Sequence, residues 1–151
     1  PDGSLPRCSP KPGNPHERHC FPQPVFQFLI PVRWGDLDAY NHVNNASYLR
    51  YLEETRVQWL CSFIRDWDAM RAAPVLAAVQ INYRAPIGWP AELIVTQTVS
   101  RVGNSSLTID HRIESADGRT LHADGHVVLV WIDRGSGKTV PLQEAFRTAV
   151  P

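Results

Sequence analysis

The chain has 151 residues, 43% of them hydrophobic and 20% charged, which suits one globular domain with a sizeable core. Its 15 Lys and Arg balance its 15 Asp and Glu, so no overall basic field exists to hold a nucleic-acid backbone. No apolar run approaches the roughly 20 residues a membrane span needs, and Cys8, Cys20 and Cys61 are too few for a disulfide framework.

Residues 1–24 hold seven prolines and few large apolar side chains. Proline fixes φ and removes a backbone donor, so this stretch is expected to be an extended or disordered arm before a single domain over 25–151. Cys8 and Cys20 flank His16 and His19, but the spacing follows no established zinc pattern and no metal site is expected. The first residue is Pro rather than Met, which suggests a fragment, a processed product or an imperfect gene boundary. No signal-peptide pattern is evident, and a cytoplasmic location is expected.

Val25–Val32 is rich in aromatic and branched residues and predicts a first strand. Trp34–Asn45 (WGDLDAYNHVNN) is polar and reads as a loop, with Asn44 and Asn45 as candidate caps for a following helix. Tyr48, Leu52, Thr55, Trp59 and Phe63 recur at spacings of four, three, four and four. That period predicts a helix from Ala46 to about Asp66, apolar around more than half its girth and largely enclosed. Cys61 within it is expected to be a small buried apolar residue. Val75–Tyr83, Leu93–Val102, Ser106–Ser115 and Leu121–Ile132 predict four further strands, separated by Pro-, Gly-Asn- and Asp-Gly-containing turns.

The expected architecture is α+β: an antiparallel sheet of about five strands curled around one long helix. Such a sheet leaves an edge and an apolar flank, so a homodimer or tetramer is expected.

The densest polar cluster, 34–45, stands immediately before that helix. A first helical turn presents unpaired N–H groups and a partial positive charge, which can bind a developing oxyanion. A nearby carboxylate can act as base or nucleophile. Helix capping alone would also explain acidic and amide residues here, and spacing does not separate the two readings.

Residues 32–49 (VRWGDLDAYNHVNNASYL), with Glu53-Glu54-Thr55-Arg56 beyond them, resemble the signature of the 4-hydroxybenzoyl-CoA thioesterase-like family of hotdog-fold proteins. Ile81–Pro86 and Val130–Leu142 resemble that family's next strand and its final strand and tail, so the likeness runs over about 25–148. The resemblance implies an acyl-CoA thioesterase with Asp38 as catalytic carboxylate and the backbone N–H of Asn45 as oxyanion donor. It implies no cofactor, since coenzyme A is part of the substrate. Asp36 is then a structural brace.

The same loop also resembles plant acyl-ACP thioesterases, which use an Asn two residues after the aspartate and a His four after it. His42 matches, but Tyr40 stands in the Asn position, so His42 is expected to orient Asp38 or touch substrate rather than act as a required base. Tyr40 and Tyr48 are further candidate substrate contacts. Arg84, Arg101, Ser105, Ser106 and Arg112 are candidates for the phosphates of coenzyme A. Gly135–Thr139 (GSGKT) lacks the first glycine of a phosphate loop, because position 132 is Ile. A hotdog hydratase, with His five residues after its acid, and a non-catalytic acyl-CoA-binding module are the rival readings.

Overall fold

The computed structural model describes residues 26–62, 64, 66 and 69–148. The proline-rich arm, with Cys8, Cys20 and their neighbouring histidines, lies outside the described residues. The elements run β1 (Phe26–Pro31), a 3₁₀ turn at Trp34–Asp36, α1 (Asn45–Cys61), β2 (Ala72–Tyr83), β3 (Glu92–Val102), β4 (Ser106–Ser115), β5 (Leu121–Asp133) and α2 (Glu144–Thr148).

All strand pairs are antiparallel, and the sheet order is β1-β3-β4-β5-β2. The segment containing α1 therefore joins the two opposite edges of the sheet, and the helix lies across the face between them. This is the hotdog arrangement. Alternation explains the burial: Leu93, Val95, Gln97 and Val99 of β3 face inward, as do Leu107, Ile109, His111 and Ile113 of β4.

Asn44 caps α1, its side-chain oxygen accepting the Ala46 N–H at 2.8 Å. The helix stops at Cys61, short of the expected Asp66, because the Ser62 hydroxyl and N–H both turn back onto the Trp59 carbonyl, at 2.6 and 3.0 Å. It is also less enclosed than its apolar pattern predicts. Tyr48, Tyr51, Leu52, Thr55, Arg56, Trp59 and Leu60 are buried, while Leu49, Arg50, Glu53, Glu54, Val57 and Gln58 face outward. Cys61 falls on that outer side and is exposed, not buried. The short α2 was not signalled by periodicity; Phe146 anchors it against Trp131 and Trp59.

The core has two apolar parts. One gathers around Tyr48, Tyr51 and Leu52 near the start of α1; the other gathers around Trp59, Trp131 and Phe146 near its end. Between them lies a belt of buried polar side chains: Thr55, Arg56, Gln97 and His111. The Gln97 amide pins helix to sheet by donating to the Leu52 carbonyl at 2.8 Å. Gln97 and His111 are register partners across β3 and β4, and His111 in turn faces Gly125 of β5. A side chain at Gly125 would run into the Gln80 carbonyl and the His111 ring, so glycine is what lets the histidine fit.

Candidate active site

The loop before α1 is built around two aspartates with opposite fates. Asp36 is 3% exposed. Arg33 holds both of its oxygens, at 3.2 and 2.8 Å, and the Tyr51 hydroxyl donates to it at 2.8 Å. Burial opposes its ionisation, yet the hydrogen bonds from Arg33 and Tyr51 outweigh it and hold the carboxyl below the usual carboxylate range. The same contact, with burial as the larger cause, pushes the Tyr51 hydroxyl well above its ordinary value. The Asp36 carbonyl also accepts from the Asn44 N–H at 2.8 Å and the Ser47 hydroxyl at 3.3 Å. Asp36 is thus the brace between loop and helix.

Asp38 is half-buried and differently placed. Its Oδ1 accepts the backbone N–H of Tyr40 at 2.8 Å and of His42 at 3.2 Å. Its own N–H donates to the His42 carbonyl at 2.7 Å, and its carbonyl accepts from Asn41, which sits at φ 62° to close the turn. Oδ2 accepts no hydrogen bond from the described residues. One carboxylate oxygen is therefore fixed and the other is available.

Asn45 supplies the second group. At the head of α1 the Ala46 N–H goes to the Asn44 side chain and the Ser47 N–H to the Asn44 carbonyl at 2.8 Å. The Asn45 N–H has no partner among the described residues. Asp38 and Asn45 line one crevice of about 260 Å³, together with His42, Tyr48, Tyr83 and Arg84. A free carboxylate oxygen and a free amide at a helix mouth, sharing one hollow, are what hydrolysis of a thioester requires.

The other sequence candidates divide. Tyr48 is in the crevice, edge-on to Tyr83 with ring centroids 5.1 Å apart. Arg84 is there too, held by Asp124 through two hydrogen bonds of 2.9 and 3.0 Å. His42 lines the crevice, but it braces Asp38 through its backbone; its ring makes no hydrogen bond to the aspartate. Tyr40 is 83% exposed and lines neither the 260 Å³ crevice nor the neighbouring crevice of about 460 Å³ that also includes Asp38; its N–H, not its ring, contacts the Asp38 carboxylate. Arg101, Ser105 and Ser106 sit at the β3–β4 hairpin, where the Trp131 N–H donates to the Ser105 carbonyl and α2 reaches Asn104. That end of the sheet faces the far end of α1, so one chain does not bring them to Asp38. Arg112 is spent on Glu114 at 2.8 Å.

Sequence reasoning passed over Tyr83, whose hydroxyl donates to the Asn45 carbonyl at 3.2 Å and ties β2 to the helix mouth. Its place just before Arg84-Ala85-Pro86 was the available signal. A bulge at His122 breaks the β5 alternation, so His122 turns toward the Ala85 carbonyl at 3.3 Å and does not share a face with His126. Glu53 and Glu54 line a separate groove of about 630 Å³ between β1 and the outer face of α1, which neither Asp38 nor Asn45 reaches. The GSGKT stretch forms a turn in which Asp133 accepts the Ser136 N–H and hydroxyl, at 2.8 and 2.9 Å.

Fold and crevice together define a hotdog thioester hydrolase. Comparison with known proteins gives the family: the profile of the thioesterase-like superfamily matches residues 32–150, and the chain belongs to it. It is 33% identical over 123 residues to the long-chain acyl-CoA thioesterase FadM of Escherichia coli K12, covering 80% of this chain and 93% of FadM. The solved PA2801 protein of Pseudomonas aeruginosa superposes with a TM-score of 0.80 at 35% identity, covering 84% of this chain and 98% of that one. The XC229 protein of Xanthomonas campestris superposes with a TM-score of 0.69 at 44% identity, covering 74% and 96%.

Proposed function

We propose that the chain hydrolyses acyl-CoA thioesters to the free acid and coenzyme A, with Asp38 as the catalytic carboxylate and the Asn45 N–H as oxyanion donor. The observation behind this reading is that the free Oδ2 of Asp38 and the unpartnered amide of Asn45 belong to one crevice. The thioester carbonyl oxygen lies on the Asn45 amide, where the α1 dipole favours developing negative charge. Asp38 takes a proton from water as the water oxygen attacks the carbonyl carbon. Collapse of the tetrahedral adduct breaks the C–S bond, and the proton goes to the departing thiolate. Direct attack by Asp38 would give an acyl anhydride that water then opens, with the same products. Neither route calls on a metal or a resident cofactor.

The reading includes a homodimer. β2 is an edge strand that exposes Val75, Leu76 and Val79, and it ends at Tyr83 and Arg84 in the crevice wall. Pairing of two β2 edges would cover those apolar side chains and close the open flank of the crevice. No helix among the described residues is long and apolar enough to cross a membrane. The substrate, made and used inside cells, makes the cytoplasm the proposed compartment.

The direct test is thiol release from a panel of short, long and aromatic acyl-CoAs. Saturable release from at least one of them is expected. Absence of release across the panel would contradict the reading.

A further inference from the structure

Tyr83, the last residue of β2, meets the mouth of α1 twice. Its hydroxyl donates to the Asn45 carbonyl at 3.2 Å, and its ring stands edge-on to Tyr48 with centroids 5.1 Å apart. Tyr48 answers in the opposite direction, its hydroxyl donating to the Ala85 carbonyl at a long 3.5 Å. Two tyrosines thus trade hydroxyls for backbone carbonyls across one ring contact. Tyr83 also stands on a firm base. Its backbone is in register with Ala123 of β5, and the next two N–H groups, of Arg84 and Ala85, donate to the His122 carbonyl at 2.8 and 3.3 Å.

The carbonyl that Tyr83 grips belongs to a first helical turn, where N–H groups lack intrahelical partners and the backbone frays. The direction of the Asn45 N–H is set by the peptide units on both sides of its Cα. The unit before it, which carries that N–H, is held at its carbonyl end by the Ser47 N–H at 2.8 Å. The unit after it is held at its N–H end by the Asn44 side chain at 2.8 Å and at its carbonyl end by Tyr83. The Ser47 and Asn44 bonds are local and fix the turn upon itself. The Tyr83 bond reaches across 38 residues of sequence and fixes the turn against the sheet. It thereby sets the Asn45 amide against the crevice wall of Arg84, Ala85 and Pro86.

We propose that Tyr83 is a positioning residue for the reaction: its hydroxyl, acting through the Asn45 carbonyl, aims the Asn45 N–H at the thioester oxygen. The proposal rests on the reading of Asn45 as oxyanion donor given above. It divides the tyrosine into two parts, a ring that packs on Tyr48 and a hydroxyl that orients the amide. An oxyanion donor matters most as charge develops, so a misaimed one slows the chemical step more than it weakens ground-state binding. A neutral hydrogen bond of this kind is worth roughly two- to tenfold in an equilibrium, and misplacing a reacting group by about 1 Å costs up to about 100-fold in rate.

The test compares wild type, Tyr83→Phe and Tyr83→4-aminophenylalanine in the full chain; the last keeps an N–H donor on the same ring. Each is assayed for kcat on the acyl-CoA that wild type cleaves fastest. Each is also titrated with the CoA thioether of the same acyl skeleton, in which a methylene replaces the carbonyl and leaves nothing to polarise. Circular dichroism reports the fold. Tyr83→Phe is expected to lower kcat at least about fivefold while the thioether Kd stays within about twofold, and the amino variant to restore most of the loss. Wild-type kcat in folded Tyr83→Phe would overturn the proposal. So would a matching loss of kcat and thioether affinity, which a merely loosened crevice would give, or no recovery in the amino variant. An unfolded Tyr83→Phe would make the hydroxyl a stabilising group and overturn it as well. Absence of wild-type turnover on every acyl-CoA would remove the thioesterase reading and this one with it.

Discussion

The Tyr51 hydroxyl donates to the buried carboxylate of Asp36 at 2.8 Å, joining the second turn of α1 to the loop that carries Asp38. Asp36 is two residues from Asp38, and Tyr51 is six residues from Asn45 on the same helix. Together with the Asn44 N–H and Ser47 hydroxyl on the Asp36 carbonyl, this contact sets how Asp38 and Asn45, the two proposed reacting groups, stand relative to each other. Removing the acceptor leaves Arg33 and the Tyr51 hydroxyl without their partner. Asp36→Ala is expected to cost about 2–4 kcal/mol of stability, whereas Tyr51→Phe, which deletes one hydrogen bond and no volume, is expected to cost about 1–2 kcal/mol. Urea melts of the two variants give the comparison; equal, negligible losses would mean the brace is not a stabilising element.

Asn44 makes a more local prediction. Its side chain is the cap of α1, and capping substitutions to Ala cost about 0.5–2 kcal/mol. The same change frees the Ala46 N–H beside Asn45 and loosens the turn that aims it. Asn44→Ala should therefore lower kcat as well as thermal stability, while Asn44→Asp, which keeps the acceptor, should retain most of both. Denaturation midpoints and turnover of the pair decide it.

His111 ties stability to pH. Burial, followed by repulsion from His126, lowers its imidazole to about 4, against an ordinary value near 6.5. Both ring nitrogens are buried without a partner among the described residues. The unfolded chain therefore binds a proton that the folded chain refuses. The stability this residue contributes is complete above about pH 6.5 and is lost as pH falls toward about 4, where the loss levels off. Urea midpoints between pH 7.5 and 4 should fall in wild type by an amount that His111→Gln reduces. Identical slopes in the two proteins would contradict this.

The exposed apolar edge of β2 predicts an association that charge can break. Val79 and Leu76 are 42% and 50% exposed on a strand whose outer edge has no neighbour in the sheet. Leu76→Lys with Val79→Glu should convert a dimer into a monomer, measured by light scattering, and lower thioester turnover with it. A wild-type protein that is already monomeric at micromolar concentration would exclude the dimer.

The fold was legible where its causes are local. Asn44 and the polar run before it mark a helix start, and the Gly-Asn and Asp-Gly pairs mark the hairpins; the boundaries of β3, β4 and β5 follow within a residue. Asp38 and Asn45 were singled out by the resemblance of residues 32–49 to a family signature, since local spacing alone did not separate a reactive pair from helix capping; seven residues of loop and cap bring them to one crevice. What escaped depends on distant partners. Gln97 and His111 occupy inward strand positions that alternation treats as apolar, and only the sheet register brings them together beneath Arg56. The helix pattern could not tell which of its apolar residues would be covered, so Cys61 was expected inside and lies outside, on the same outer side as Leu49. Arg101, Ser105 and Ser106 are close to Arg84 in sequence terms, but the hairpin carries them to the opposite end of the sheet.

The central claim is that Asp38 performs the chemistry and does not merely close the loop. Asp38→Asn keeps an oxygen for the Tyr40 and His42 amides and removes the charge. Steady-state thiol release by this variant, with its thermal midpoint recorded alongside, is the most direct measurement. The account predicts a fall in kcat of at least about 100-fold with the fold intact; turnover close to wild type in a folded Asp38→Asn protein would contradict it.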